Sequence, residues 1–236
     1  MRRPDRTQVI AHRGASGYRP QNTLAAYELA VEQRADMIEI DLHRSRDGAI
    51  VIRHDEELQS LGGRGDIVEM DLAEIETLDG GQGEKIPTLD EVLDQFGTEM
   101  PFNLELKCGE RGAYPDLEAD TLAAVERRGL LGSTLFSSFD DGVLARLRSQ
   151  SERARLAVLV SARARERPLE RAAAVGAEAV NPWLGLAEPD LVDAVHAEGL
   201  AVYVYTVNEV DDMQRMIARG VDGMFTNFPD RLRALL

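Results

Sequence analysis

Four polar clusters interrupt stretches that otherwise read as buried strands: His12-Arg13, Glu39-Ile40-Asp41, His54, and Asn103-Leu104-Glu105-Leu106-Lys107. Glu39 and Asp41 lie two apart in Met37-Ile38-Glu39-Ile40-Asp41-Leu42. On a strand they project from one face with Cα atoms about 7 Å apart, near enough to share one cation. Asn103, Glu105 and Lys107 repeat the spacing. A buried carboxylate is costly unless it is paired or coordinates a metal, so three of them on apolar strands ask for positive charge. An all-oxygen set selects a hard divalent cation, Mg²⁺ or Ca²⁺, over zinc. The alternative is an ion-pair set with Lys107 and Arg13, although buried pairs of that kind stabilise poorly.

The surrounding sequence supplies strands to carry these groups. Short apolar runs suggest strands near Val9–Ala11, Met37–Leu42, Phe102–Lys107, Thr134–Ser137, Leu156–Val160, Ala179–Asn181, Ala201–Tyr205 and Gly223–Thr226. Between them, amphipathic stretches predict helices over Thr23–Gln33, Leu89–Phe96, Asp116–Arg128, Asp140–Ser149, Leu169–Val175, Pro189–Ala197 and Val210–Ala218, with Asp230–Leu236 closing the chain. Regular strand-helix alternation favours a parallel sheet with right-handed crossovers, and eight units favour closure into a TIM (β/α)₈ barrel. The polar clusters then fall at the C-terminal strand ends, where such barrels place their chemistry. The rhythm breaks once: Ala49–His54 reads as an extra extended segment, and residues 55–84 form a small glycine-rich insertion after the second strand.

Composition sets bounds. The 236 residues, 44% hydrophobic and 29% charged, suit one soluble domain spanning 1–236. A net charge of −15 argues against nucleic-acid or anionic-membrane binding, both of which need an excess of Lys and Arg. No apolar run approaches the ~18 residues of a membrane span. The basic start, Met1-Arg-Arg-Pro-Asp-Arg, lacks the apolar stretch of a secretory signal, and Cys108 is alone, so a cytoplasmic location without stable membrane association is expected. A homo-oligomer is compatible with this composition.

The motifs also carry a resemblance. Ile10-Ala-His12-Arg13-Gly14-Ala15 with Pro20-Gln21-Asn22-Thr23, Glu39-Ile-Asp41, Arg46-Asp47-Gly48, Ile52-Arg53-His54-Asp55, Ile86-Pro87-Thr88-Leu89, Asn103 to Lys107, Ser137-Ser138-Phe139, Thr206-Val207-Asn208, and Asp222-Gly223 with Thr226-Asn227 together resemble the glycerophosphodiester phosphodiesterase family of bacterial, cytoplasmic type. Each string is weak alone; their order across nearly the whole chain is specific. The resemblance implies that Glu39, Asp41 and Glu105 are metal ligands and that His12 and His54 are the catalytic pair. Imidazole suits phosphodiester cleavage because its ordinary pKa of ~6.5 lets one ring accept a proton while the other donates one. Arg13 is expected to grip phosphate through a bidentate contact and Lys107 as a point charge. Gly14 and Gly17 would let the loop after the first strand come close to the substrate. Trp183 and Tyr205 stand near strand ends and could wall the glycerol carbons, core packing being the alternative. His43, past the metal pair, and His196, within a helix, look non-catalytic, and no Cys–His arrangement accompanies Cys108.

The implied activity is metal-dependent hydrolysis of a small-molecule glycerophosphodiester to sn-glycerol 3-phosphate and an alcohol. Alternatives are a related phosphodiesterase acting on lysophospholipids or inositol phospholipids, and a non-catalytic phosphoester-binding barrel. The stretch Gln59–Gly65 departs from the family pattern after His54, so weak selection among alcohols is expected.

Overall fold

The computed structural model describes residues 6–162 and 167–236. Its strands are β1 (Gln8–His12), β2 (Met37–Arg44), β3 (Ile50–Ile52), β4 (Phe102–Leu106), β5 (Cys108–Gly109), β6 (Gly112–Ala113), β7 (Thr134–Ser138), β8 (Arg155–Val160), β9 (Ala179–Pro182), β10 (Ala201–Val204) and β11 (Gly223–Thr226). The helices are α1 (Leu24–Glu32), α2 (Leu72–Ile75), α3 (Leu89–Phe96), α4 (Leu117–Arg127), α5 (Asp141–Gln150), α6 (Pro168–Val175), α7 (Pro189–Ala197), α8 (Val210–Ala218) and α9 (Pro229–Arg233). Eight strands, β1, β2, β4 and β7 to β11, pair in parallel, and β1 meets both β2 and β11, so the sheet closes into the expected barrel.

Local chemistry starts the helices where the sequence suggests. Thr23 accepts from the Ala26 N–H ahead of α1, and Asp140 accepts from Val143 ahead of α5. Thr88 and Glu91 exchange bonds across the first turn of α3. Pro168, Pro189 and Pro229 occupy first-turn positions of α6, α7 and α9, where the missing N–H costs nothing. Among the described residues no helix is long and apolar enough to cross a membrane.

Strand alternation sorts side chains between two compartments. Ile38, Ile40, Leu104, Phe136, Val158, Val180, Val202 and Met224 face the helices in the main core. Inside the ring, Ile10, Met37, Leu135, Ala157, Ala179, Ala201, Tyr203 and Phe225 pack into a closed apolar floor. Each large side chain removed from water there contributes roughly 1.5–3 kcal/mol. The site stands on this floor.

The extra extended segment forms β3, which runs antiparallel to the end of β2, with Leu42 opposite Ile52 and Arg44 opposite Ile50. The insertion beyond it holds its own small core of Val51, Leu58, Ile67, Met70, Ile75 and Ile86, built around two short 3₁₀ turns and α2.

Candidate active site

Parallel register brings the polar residues together. His12 is level with Glu39, Glu39 with Asn103, Asp41 with Glu105, and Glu105 with Ser137. These positions share the inward face of adjacent strands, so three strands deliver one cluster. Oxygens of Glu39, Asp41 and Glu105 lie within 4.8 Å of one another, the single such group of potential metal ligands among the described residues.

Two cations lean on the cluster. Arg13 Nε is 3.0 Å from Asp41 Oδ2, and Lys107 Nζ is 2.9 Å from Asp41 Oδ1 and 2.7 Å from Glu105 Oε1. Arg13 has a left-handed backbone (φ 57), a costly conformation for a non-glycine residue, and its N–H donates to Glu39 Oε2 at 2.9 Å. Asn22 donates from Nδ2 to Asp41 Oδ2 at 2.8 Å and is itself held by the buried Tyr27 hydroxyl, so α1 fixes the carboxylate's orientation.

Electrostatics distinguishes the three acids. Burial works against the Asp41 carboxylate, but Lys107 and Arg13 outweigh it and hold the acid below the usual carboxylate range. Lys107 resists the same burial through Glu105 and Asp41, which push its pKa up. Glu39 goes the other way: burial, reinforced by the charge of Asp41, raises it well above an ordinary glutamate, and burial raises Glu105 too. Three carboxylates against two cations leave a deficit of positive charge. Asn103 Nδ2 donates to Ser137 Oγ at 2.8 Å, leaving Asn103 Oδ1, buried and lining the same cavity, with no hydrogen-bond partner. All-oxygen donors, the charge deficit and an orphaned carbonyl fit a hard divalent cation.

The two histidines are oriented differently. His12 Nδ1 is 2.7 Å from Asn227 Oδ1, an acceptor, so Nδ1 carries the proton and Nε2 is left as a lone pair. Burial, aided by Arg13, lowers its pKa to about 4. His54 Nδ1 faces the Asp55 carboxylate at 2.7 Å. Burial and Lys107 lower its pKa as well, opposed by Asp41 and Asp55.

A cavity of about 170 Å³ gathers His12, Arg13, Glu39, His54, Asn103, Glu105, Lys107 and Tyr205, with Phe139, Leu159, Thr206 and Phe225 on its far side. Asp41 lies beneath it, wholly buried. A second, wider cavity of about 770 Å³ adjoins it, sharing His54, Glu105, Lys107 and Phe139, and is lined by the carboxylates Asp55, Glu56, Glu57, Asp66, Glu110 and Asp140. A groove beyond His12 and Arg13 is lined by Tyr18, Arg19 and Gln21.

Some expected residues lie elsewhere or act differently. Trp183 lines none of these cavities; its half-exposed ring lies against Gly185. Gly14 and Gly17 are required by packing: a Cβ on Gly14 (φ 79) would come within 2.7 Å of Ala26, and one on Gly17 within 2.2 Å of the Phe228 ring. His196 bonds Asp222 at 2.8 Å, and Asp222 also accepts from the Val202 N–H near the start of β10. Burial pushes the Cys108 thiol up, away from thiolate. The orienting partners Asn227 and Asp55, and the wall residues Phe139, Leu159 and Phe225, escaped the sequence reading. Asn227, Asp55 and Phe139 stand in the sequence only as parts of motifs, with no role attached.

Comparison with known proteins agrees with this geometry. A sequence model described as the glycerophosphoryl diester phosphodiesterase family matches residues 12–231. The glycerophosphodiester phosphodiesterase of Bacillus subtilis (strain 168) is 33% identical over 96% of this chain and 85% of its own. That of Caldanaerobacter subterraneus subsp. tengcongensis is 34% identical, covering 96% of each chain. The structure of a phosphodiesterase from Oleispira antarctica in complex with the product sn-glycerol-3-phosphate superposes with a TM-score of 0.85 and 32% identity, over 96% of this chain and 95% of that one.

Proposed function

The chain belongs to the glycerophosphoryl diester phosphodiesterase family, and on that premise we propose that it hydrolyses glycerophosphodiesters to sn-glycerol 3-phosphate and an alcohol, with Glu39, Asp41 and Glu105 holding a divalent cation. The observation that carries this reading is the meeting of that acidic triad, both imidazoles and the cations Arg13 and Lys107 around one cavity at the C-terminal end of the barrel.

The cation would draw off negative charge from the phosphoryl oxygens as it builds in the transition state. Arg13 and Lys107 bind the phosphate and keep it over the triad. His12, with Nδ1–H fixed on Asn227, presents Nε2 as the base that takes the proton from the attacking oxygen. His54 stands where the inner and outer cavities join, and its Asp55 partner favours the imidazolium. It gives its proton to the alkoxide that departs as the P–O bond breaks. The incoming phosphodiester anion raises the proton affinity of both rings.

The leaving alcohol thereby projects into the outer cavity. Its carboxylates suit a polar or cationic alcohol better than an acyl chain, which favours the glycerophosphodiester reading over the lysophospholipid one. A single cysteine and no disulfide suit a reducing compartment, and we assign the protein to the cytoplasm.

A coupled assay for glycerol 3-phosphate over a panel of glycerophosphodiesters, with and without chelator, tests the proposal. Release should vanish on chelation and return with Mg²⁺ or Ca²⁺. Undiminished turnover by rigorously metal-free protein would remove the cation from the mechanism, and no release from any diester would remove the substrate class.

A further inference from the structure

The every-second-residue row on β2 does not stop at the metal triad. After Glu39 and Asp41 it reaches His43, whose side chain is 2% exposed and has both ring nitrogens engaged. Nε2–H donates to the backbone carbonyl of His54 at 3.2 Å, and Nδ1 is 2.6 Å from the Tyr114 hydroxyl. The same hydroxyl donates to Glu56 Oε1 at 2.9 Å and so bridges His43 and Glu56. Glu56 Oε2 accepts from the Glu110 N–H at 2.7 Å. The rings of His43 and Tyr114 pack edge to face at 5.5 Å. One network therefore joins a barrel strand, the carbonyl of His54, the start of the insertion and the hairpin formed by β5 and β6.

His54 needs such support because no barrel strand carries it. It follows β3 by two residues, its side chain is 37% exposed, and it stands where the insertion begins. Beyond the β2–β3 pairing, the Arg53 N–H donates to the Asp41 carbonyl at 3.1 Å. A misplacement of about 1 Å can cost a reacting group on the order of 10²-fold in rate. An apolar side chain would fill the His43 site without two buried hydrogen bonds to satisfy, so the imidazole is there for its donor and acceptor. We propose that His43, backed by Tyr114 and Glu56, is a positioning residue that sets the height and direction of His54 over the metal cluster. The inference rests on the proton-donating role given to His54 above.

The test is a set of substitutions read in two backgrounds. His43→Leu should lower kcat by about 10- to 100-fold with KM within about threefold, because the loss is one of alignment rather than of binding. His43→Gln, which keeps an N–H for the carbonyl, should stay within about threefold of wild type, and Tyr114→Phe should fall between, at roughly 3- to 10-fold. In a His54→Ala background, His43→Leu should cost less than about twofold, since what it positions is gone. An unchanged kcat in His43→Leu, or the same loss with and without His54, would overturn the proposal. Should His43→Leu fail to fold, Tyr114→Phe in the same two backgrounds decides by the same criterion. A wild-type protein with no turnover on any diester would overturn the reaction itself and this inference with it, an outcome distinct from an active enzyme indifferent to His43.

Discussion

The two sides of the barrel mouth have little in common. β1, β2 and β4 bring His12, Arg13, Glu39, Asn103, Glu105 and Lys107 to the inner cavity, with Asp41 beneath it, while β7, β8, β10 and β11 bring Phe139, Leu159, Tyr205, Thr206 and Phe225. One side holds every formal charge of the inner cavity, and the other is an uncharged wall there, with Phe139 and Tyr205 edge to face at 5.9 Å. The low-polarity wall strengthens the field of the charged side by keeping water away from it, so the difference is functional. Disturbing the charged side should therefore alter the chemistry, and disturbing the wall should alter only how the substrate rests.

The largest effect is expected at the triad. Glu39→Gln or Glu105→Gln should lower kcat by about 10³-fold, since Lewis-acid stabilisation is worth several kcal/mol. Calorimetry should show weakened Mg²⁺ or Ca²⁺ binding in the same variants. Because Glu39 and Glu105 are held above the ordinary carboxylate range, binding should expel protons, and apparent affinity should weaken as pH falls. Calorimetry in buffers of different ionisation enthalpy would read that release directly.

Next come the imidazoles. His12→Ala and His54→Ala should each reduce kcat by about 10²-fold or more with the melting temperature little changed, the usual range for general acid-base groups. Equal activity in either variant and wild type would remove that residue from the mechanism.

A third effect concerns stability. His43 is neutral in the fold, its pKa lowered by burial to about 4 from an unfolded value near 6.5. Between those values the unfolded chain binds more protons than the folded one, so the stabilisation is present above pH 6.5 and is lost as pH falls through about 4. The full loss from this residue is on the order of 3 kcal/mol. Urea titrations of metal-free protein between pH 7 and 4.5 should show stability falling with pH, with a shallower slope in His43→Gln. Equal slopes would assign the acid sensitivity to other groups.

The wall should matter least. Phe139→Ala should raise KM by less than about tenfold at nearly constant kcat, as an apolar contact is worth only ~1–3 kcal/mol. Within the weak selection expected from the sequence, the acidic outer cavity adds a preference by charge. Choline and ethanolamine diesters should exceed the glycerol diester by a few-fold in kcat/KM at low salt, a margin that added salt should erase because exposed charges are screened within about 10 Å at 0.1 M. Initial rates at two ionic strengths would show it.

This asymmetry also governed what the sequence disclosed. Glu39, Asp41, Glu105 and Lys107 stand out because each replaces an apolar residue in a strand pattern, and the eight strands were legible from the same alternation. Leu159 and Phe225 send no such signal, and Phe139 shows only as the end of a motif, since a residue lining an apolar wall and one filling a core are chosen by the same rule. Trp183 shows the converse: its type and position suggested a wall, yet its ring lies against Gly185. His43 was legible in principle, being the next step of the row that gives Glu39 and Asp41. What hid it was that its partners, Tyr114 and the His54 carbonyl, come from segments whose conformation no periodicity encodes.

The closed floor of Ile10, Leu135, Ala157, Ala179 and Phe225 makes the reaction chamber a dead end. On the proposed reaction both products leave by the mouth through which the substrate entered. The alcohol, formed facing the outer cavity, is then expected to depart first, and glycerol 3-phosphate, held by the cations, last. An enzyme that releases products in this order is inhibited competitively by the second product and noncompetitively by the first, so accumulated glycerol 3-phosphate would throttle the very site that makes it.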